Sequence, residues 1–233
     1  MKRSSLAIMF LLLSQFAFAQ SPFQSFDLIV TDPAGVVSAM NKLQASPTGR
    51  QSTSNVSLRQ YLANGESLAT HQIVVIYPTT DDMDADIARN SVSSDWATFL
   101  AEMQEVATVE AEGMGMLLAT GGDVDSSVAT ALGRTTVYYQ MSVSHPAEYA
   151  SAWSDFTSAN ADTGVISYLS SVLAFGSNPS THVVSNVYGS PGEALANDPT
   201  SYEGWDSFSE RVSDIRTIEG RAITTVIAEW SPE

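Results

Sequence analysis

Two stretches of this chain repeat one phrase: LANGESLATH at residues 62–71 and LAFGSNPSTH at residues 173–182. Five of the ten positions are identical, and the shared residues are Leu62/Leu173, Ala63/Ala174, Gly65/Gly176, Thr70/Thr181 and His71/His182. The two copies stand 111 residues apart, and two of the three histidines of the 233-residue chain end the phrase. A phrase repeated at this distance predicts that one structural unit occurs twice.

The two halves stay in step on both sides of the phrase. Upstream, VTDPA (30–34) corresponds to VSHPA (143–147), and apolar residues at helical spacing follow each proline: Val36, Met40 and Leu43 in one half, and Tyr149, Trp153 and Phe156 in the other. Asp32 is predicted to cap the first of these helices, with Pro33 at its first position, and Ser144 or His145 to take the capping role in the second.

Downstream of the phrase, each half continues with a strand and then a second helix. THQIVVIY (70–77) and THVVSNVY (181–188) have strand composition. Matching apolar stripes then predict a helix in each half, with both tryptophans in the core: Trp96, Phe99, Met103 and Val106, and Trp205, Phe208, Val212 and Ile215. Each half therefore reads strand, helix, strand, strand, helix, strand, which is the order of a ferredoxin-like unit.

Two fused βαββαβ units resemble the dimeric α+β barrel superfamily, which includes antibiotic-biosynthesis-type monooxygenases and stress-responsive barrel proteins. The resemblance covers nearly the whole mature chain and rests on element order and the internal repeat. It implies an α+β fold in which two four-stranded sheets pack face to face, with helices outside. The predicted boundaries are a signal peptide at 1–19, a first repeat at 20–122, a linker at 123–133 and a second repeat at 134–233.

The first residues have the features of an export signal. Lys2 and Arg3 precede an apolar run, and Ala17-Phe18-Ala19 forms an A-x-A cleavage site, which predicts a secreted or periplasmic protein. Loss of this leader changes the formal net charge from −16 to −18, so a nucleic-acid partner is not expected. The sequence has no cysteine and no later apolar segment long enough to cross a membrane, so neither a disulfide nor a membrane span is expected. A monomer with pseudo-dimeric halves or a higher oligomer is expected.

The three histidines are the first candidates for catalysis. His71 and His182 occupy equivalent positions, which favours a shared scaffold role at the turn before each strand, with general acid–base chemistry as the alternative. His145 has no histidine counterpart and precedes Pro146 at a predicted helix N-terminus, so it is the better candidate for a site. The alternative for His145 is an exposed capping residue.

The differences between the halves suggest where a ligand binds. Asn186 replaces Val75 on an otherwise apolar strand face, and the second half is richer in aromatic residues. Small-molecule sites are typically apolar with a few polar groups, although a filled aromatic core is the alternative. The predicted ligand-binding residues are Asn186, Tyr188, Tyr149 and Tyr77.

No metal site and no cofactor are expected. The run DDMDADIARN (81–90) has Ile87 where a calcium loop needs glycine, and it is predicted to be a solvated acidic loop. The function predicted from these observations is the binding of a small apolar or aromatic molecule in an exported barrel. The resemblance to the superfamily implies a cofactor-independent monooxygenase or isomerase activity. The alternative is a non-catalytic binding or stress-related interaction module with a filled core.

Overall fold

Eight antiparallel strands close into one barrel in the computed structural model, which describes residues 21–176 and 178–232. The predicted signal peptide and its cleavage site lie outside the described residues. Around the barrel the strands follow the order β1-β3-β2-β8-β5-β7-β6-β4. Their bounds are β1 Pro22–Val30, β2 Asn55–Ala63, β3 His71–Ile76, β4 Ala107–Gly121, β5 Thr135–Val143, β6 Ile166–Phe175, β7 His182–Tyr188 and β8 Arg216–Trp230.

The strand order confirms the predicted α+β fold of two ferredoxin-like units. One half contributes β4-β1-β3-β2 and the other contributes β8-β5-β7-β6, which is the same order twice. The halves are hydrogen-bonded at two seams, β2 with β8 and β4 with β6, so both edges of each four-stranded sheet are paired within one chain. Because all neighbours are antiparallel, β1, β2, β5 and β6 begin at the same end of the barrel, and the pseudo-two-fold axis runs along the barrel.

Six α-helices cover the outside of the barrel among the described residues, and none of them is long and apolar enough to cross a membrane. Two apolar cores lie between this helical layer and the sheet, one in each half. Asp32 caps α1 by accepting a hydrogen bond from the Gly35 amide at 3.1 Å, as predicted, whereas His145 at the start of α4 makes no side-chain capping bond. The helices are α1 Pro33–Ala45, α2 Thr80–Ser91, α3 Ser94–Val106, α4 Pro146–Ala159, α5 Pro191–Ala196 and α6 Trp205–Val212.

The repeated phrase makes the same local structure in both halves. Gly65 and Gly176 have φ of +67° and +52°, a left-handed conformation that favours glycine. The threonine that follows accepts a hydrogen bond from the amide of the neighbouring strand, from Val30 at 2.9 Å in one half and from Val143 at 3.0 Å in the other. This shared geometry explains why Gly and Thr recur in the phrase.

Each histidine of the phrase is the first residue of its strand and is buried. Nδ1 of His71 and of His182 lies 2.9 Å from the hydroxyl of the preceding threonine. Burial lowers the pKa of both imidazoles. The two histidines thus have equivalent surroundings, and the position of each is set by the turn that precedes it.

The structure corrects the prediction for the acidic run at residues 81–86, which is helical and not a loop. These residues belong to α2, where the Thr79 hydroxyl accepts a hydrogen bond from the Asp82 amide at 3.2 Å and the first acids lie at the favourable N-terminal end. Asp86 is buried and pairs with Arg89 and the Ser52 hydroxyl. No cluster of three or more potential metal ligands occurs within residues 21–176 and 178–232.

The predicted burial of the two helical tryptophans is also corrected. Trp96 and Trp205 are half-buried and pack against the edges of their cores. Phe99 and Phe208 are the buried aromatic residues of the same stripes, at 8% and 7% exposure. The second stripe is shorter than predicted, because α6 ends at Val212 before Ile215. This short helix leaves part of the second half to be covered by an irregular segment.

Candidate ligand-binding site

A cavity of about 180 Å³ lies in the second half, between the outer face of the sheet and the helices that cover it. Its floor is formed by residues of β5, β6 and β7, its wall by α4 and α6, and its rim by residues 198–202 between α5 and α6. Gly122, with φ of +80°, lies on one side of the cavity. The backbone of Val165 is so close that a Cβ atom at this position would lie 2.1 Å from the Val165 carbonyl oxygen. The glycine allows the end of β4 to approach the start of β6 closely.

Aromatic side chains form most of the cavity wall. Phe156 and Phe208 stack with their ring centroids 4.8 Å apart, and Trp205 meets Phe156 edge to face at 5.9 Å. Tyr149 contacts Phe208 at 6.3 Å and is 1% exposed. Tyr139, Trp153 and Tyr202 complete the set of seven rings. Aromatic rings at these separations prefer edge-to-face or offset stacked contacts, and a flat apolar ligand could make the same contacts with the rings of the wall.

Two arginines bring positive charge to this aromatic cavity. The Arg216 guanidinium lies 5.6 Å from the centroid of Phe208, and the Arg221 guanidinium lies 5.3 Å from that of Tyr139. Neither makes a salt bridge within 4.0 Å among the described residues. Burial raises the pKa of Tyr139 despite the opposing charge of Arg221, so this phenol stays neutral near pH 7. The cavity therefore combines neutral phenols with two cations that stand over ring faces.

Asn186 supplies a polar group on the cavity floor. Its Oδ1 accepts a hydrogen bond of 2.7 Å from the Ser167 hydroxyl, and the two residues are 9% and 6% exposed. They are direct cross-strand partners on β7 and β6. The serine hydroxyl satisfies Oδ1, and the side-chain amide of Asn186 lies beside the Tyr188 hydroxyl, where it opposes the burial that raises the pKa of that phenol. An amide nitrogen carries two N–H donors, so one can still donate to a ligand.

The structure brings some of the predicted site residues together and separates others. Asn186 and Tyr149 line the cavity. Tyr188 lies behind it, with its hydroxyl 3.3 Å from the Asn197 carbonyl oxygen, and burial raises its pKa. Tyr77 belongs to the other half, where its hydroxyl donates to Gln24 at 2.9 Å. His145 is exposed, and its Nδ1 lies 3.0 Å from the hydroxyl of the neighbouring Ser144.

Several cavity residues were not predicted from the sequence. Arg216 and Arg221 lie on β8, and Tyr202 lies in the irregular segment before α6. Asp198 is exposed at the rim, and the Thr200 amide holds the pKa of its carboxyl below the usual range by donating to it at 2.9 Å. The sequence contains an indication of Arg216 and Arg221, because residues 20–233 contain only seven arginines and these two lie five residues apart in the last strand.

The equivalent space in the first half is apolar and lacks these groups. Phe26, Val36, Met40 and Val75 stand where the second half has Tyr139, Tyr149, Trp153 and Asn186, and all four belong to the first core or pack against it. Glu112 takes the position of Arg221 in the pairing with the neighbouring strand. The polar and cationic groups of the cavity are thus features of one half alone.

The comparisons with known proteins identify the fold and no single family. No protein-family model and no curated protein matches the sequence. A proposed monooxygenase from Fusobacterium nucleatum superposes with a TM-score of 0.63 at 14% identity, over 93% of this chain and 95% of that one. This chain has the dimeric α+β barrel fold. A proposed monooxygenase from Lactobacillus acidophilus gives 0.57 at 10% identity over 91% and 96%, and an anthrone oxidase-like protein gives 0.52 at 12% over 91% and 93%.

A haem group does not fit the cavity. A Thermus thermophilus protein described as heme-binding shares the fold, with a TM-score of 0.50 at 12% identity over 90% of this chain and 92% of that one, so the question is relevant. The cavity volume of about 180 Å³ is below the range of about 300–1,000 Å³ that is typical for drug-sized ligands, and a porphyrin is larger than most of these. None of the described lining residues is a histidine, so the cavity offers no imidazole to a haem iron.

Proposed function

We propose that the protein binds a small aromatic molecule of about one ring, with an acidic hydroxyl, in the cavity between the second sheet and its helices. The observation that carries this proposal is the convergence of seven rings and two arginines on one cavity that opens to solvent at its rim. The volume suits the size, because an apolar cavity of about 150 Å³ is known to hold benzene. The unfilled space argues against a module with a filled core.

The charges of the lining favour a phenol over a neutral arene. A guanidinium near the ligand oxygen stabilises the phenolate and lowers the pKa of the bound phenol. Asp198 is the one carboxylate among the described lining residues and lies where a proton would leave for solvent. The Asn186 amide can donate a hydrogen bond to the same oxygen. Binding would therefore break the phenol O–H bond and leave the electron pair on oxygen.

A cofactor-independent oxygenase activity follows from this chemistry as the second candidate function. A bound phenolate is electron-rich and can react with dioxygen. One oxygen atom would enter the ring as a quinone carbonyl and the other would leave as water, so the phenol supplies all four electrons. The proteins with this fold that are named as monooxygenases or anthrone oxidase-like support this candidate, although their low identity relates them to this chain by fold alone.

The binding proposal is tested by titrating the protein with phenol, p-cresol and 1-naphthol while following tryptophan fluorescence. We expect the one-ring phenols to bind, and Arg221→Met to weaken p-cresol at least tenfold while Arg50→Met, on the exposed surface, has no effect. Equal affinity for p-cresol and toluene would contradict the role of the arginines. Binding of none of these compounds would favour the non-catalytic interaction module instead.

The oxygenase candidate has a separate test. Oxygen uptake in an electrode chamber should depend on both the protein and the phenol, and label from ¹⁸O₂ should appear in the quinone. Binding without oxygen uptake would leave the protein as a binding protein and remove the enzyme proposal.

Export of the chain also stays a proposal. The basic and apolar residues at 1–19 support it, and N-terminal sequencing of the soluble protein from its natural source should begin near Gln20. Recovery of Met1 on the mature protein would contradict it.

A further inference from the structure

A second cavity lies inside the barrel and is larger than the one between sheet and helices. Its volume is about 380 Å³, within the range of about 300–1,000 Å³ that is typical of ligand sites. Residues of all eight strands line it, and Ala129 and Thr130 of the connection between the halves lie over the end at which β5 begins. This space belongs to neither helical layer, so it is independent of the proposed function above.

Arg59 projects into this cavity from the middle of β2 without an acidic partner. Its Nε donates to the Ser57 hydroxyl at 3.0 Å, and its Nη1 donates to the hydroxyl of Tyr138 on β5, the next strand but one. None of the salt bridges among the described residues includes it. An arginine has five N–H donors, so three remain for another acceptor. Neutral oxygens compensate poorly for the loss of water around a half-buried guanidinium, and a bound anion would accept hydrogen bonds from its free N–H groups.

A polar network fixes the position of Arg59. The Tyr138 hydroxyl donates to Gln72 Oε1 at 3.2 Å, and Gln72 Nε2 donates to Asp27 at 2.9 Å and to the Tyr61 hydroxyl at 3.1 Å. Tyr61 in turn donates to Asp27 at 2.8 Å. Asp27 stands behind Gln72 and Tyr61 and does not line the cavity, and burial raises the pKa of its carboxyl. The one acid of the network is thus bound by neutral donors and kept away from the guanidinium.

The network occurs only once in the pseudo-symmetric barrel. The strand pairings place Gln140, Ser170, Val172 and Val183 of the second half at the positions of Asp27, Arg59, Tyr61 and Gln72. A residue needed for the fold would be expected in both halves, as His71 and His182 are. A residue needed for a single bound molecule can appear once, and two such cations facing one narrow space would repel each other.

Ser25 is a further polar residue of the wall. It lines the cavity, is 4% exposed, and its hydroxyl has no hydrogen-bond partner in the part of the chain that the structure describes. A buried hydroxyl without a partner is unfavourable. It stands at the position that corresponds to Tyr138, so the two hydroxyls come from equivalent points of opposite halves.

The rest of the wall combines apolar side chains with small polar ones, and the carboxylate of its lining, Glu229, is paired with Arg134. Its inward-facing apolar side chains are Phe23, Val74, Ile76, Leu117, Val172, Phe175, Val183 and Val187. A free inorganic anion would leave this surface unused, whereas a molecule with an apolar body and one anionic head would meet both parts of the cavity. A carboxylate matches the planar fork of the guanidinium.

We propose that the barrel interior is a binding site for an amphiphilic organic acid, whose carboxylate meets Arg59 and whose apolar body lies along the valine-rich wall. Isothermal titration with hexanoate, octanoate and benzoate tests this, with 1-octanol as the neutral analogue of octanoate. We expect one acid to bind per chain, and octanoate to bind at least tenfold more tightly than 1-octanol. Arg59→Met should weaken octanoate at least tenfold and leave 1-octanol unchanged, whereas the matched control Arg50→Met should change neither.

Val183→Phe gives a second readout that leaves the polar network intact. The larger side chain fills the space of the apolar body, so octanoate binding should be lost while thermal unfolding shows a folded protein. No binding of any of the three acids would overturn the proposal. Octanoate binding that survives both Arg59→Met and Val183→Phe would overturn it as well, because the acid would then bind elsewhere. These variants do not touch the cavity of the second half, so p-cresol binding should remain and the two proposals can fail separately.

Discussion

The hydrogen-bonded pair Ser167–Asn186 offers a test that the chain itself controls. In the first half the same cross-strand position is occupied by Val56 and Val75, which lie in an apolar core. The double replacement Ser167→Val with Asn186→Val therefore transplants the pair that one half already uses into the other half. If the polar pair serves a ligand and not the fold, the transplant should keep stability and lose binding.

The magnitudes follow from the burial of the pair. Asn186→Val alone leaves the Ser167 hydroxyl, 6% exposed, without its 2.7 Å acceptor, and an unsatisfied buried hydroxyl costs about 1–3 kcal/mol. The double variant removes both polar groups, and replacement of both partners by apolar groups is close to neutral or stabilising. We therefore expect the single variant to be less stable than the double variant by about 1–3 kcal/mol.

Urea unfolding of the wild type, both single variants and the double variant gives the four free energies of a double-mutant cycle. Titration of the same four proteins with p-cresol measures binding, and we expect the double variant to bind p-cresol at least tenfold more weakly than the wild type. A double variant that is less stable than either single variant would refute the reasoning, because the pair would then stabilise the fold itself. A stable double variant with unchanged affinity would remove Asn186 from the site.

Three further outcomes are expected. Trp205→Ala should cost less than the about 3–5 kcal/mol typical of a fully buried aromatic residue in thermal unfolding, and a loss of that size would mean that its half-burial has been underestimated. Glu229→Gln should cost about 1.5–3 kcal/mol in urea unfolding, because Arg134, whose side chain is 10% exposed, would lose its carboxylate partner, and a neutral result would show that solvent already screens the pair. Because burial lowers the pKa of His71 and His182 below 6.5, the unfolded state binds protons first, so this stability is present above about pH 6.5 and is lost as the pH falls through the native pKa values. Between pH 8 and pH 5 the melting temperature should fall less steeply for the double variant His71→Gln with His182→Gln than for the wild type. An unchanged slope would show that the two histidines do not cause the loss of stability.

The fold could be predicted from the sequence because both repeats show the same order of strand and helix patterns. The phrase ending at His71 and His182 marked the start of equivalent strands, and the helical spacing after Pro33 and Pro146 marked equivalent helices. Two matching strand and helix patterns support the predicted fold better than one, since a chance match would have to recur at the same distance along the chain. The acidic run at 81–86 was misjudged because it lacks an apolar stripe, although Thr79 was a readable helix cap.

The candidate site was only partly accessible. Asn186 could be found because it breaks an apolar alternation and differs from Val75. Arg59 could not be assigned, since a lone arginine in a strand is usually directed to solvent. Whether such a side chain points into the barrel, towards the helices or outward depends on the register and on the bulges that shift it, such as the one at Gln140/Met141.

The distribution of ion pairs makes the orientation of these arginines informative. With 26 acidic residues against 10 basic ones, a carboxylate partner is easy to place beside any cation of this chain. Arg89, Arg134 and Arg211 each have one. Among the described residues, the arginines that have none are Arg50, which is exposed to water, and Arg59, Arg216 and Arg221, which line the two cavities. Water solvates Arg50 and also reaches Arg221, which is exposed, whereas Arg59 and Arg216 are half-buried and have aromatic or hydroxyl groups as their neighbours. In so acidic a protein, half-buried arginines left without carboxylates at two cavities are best explained by the negative charge of what those cavities bind.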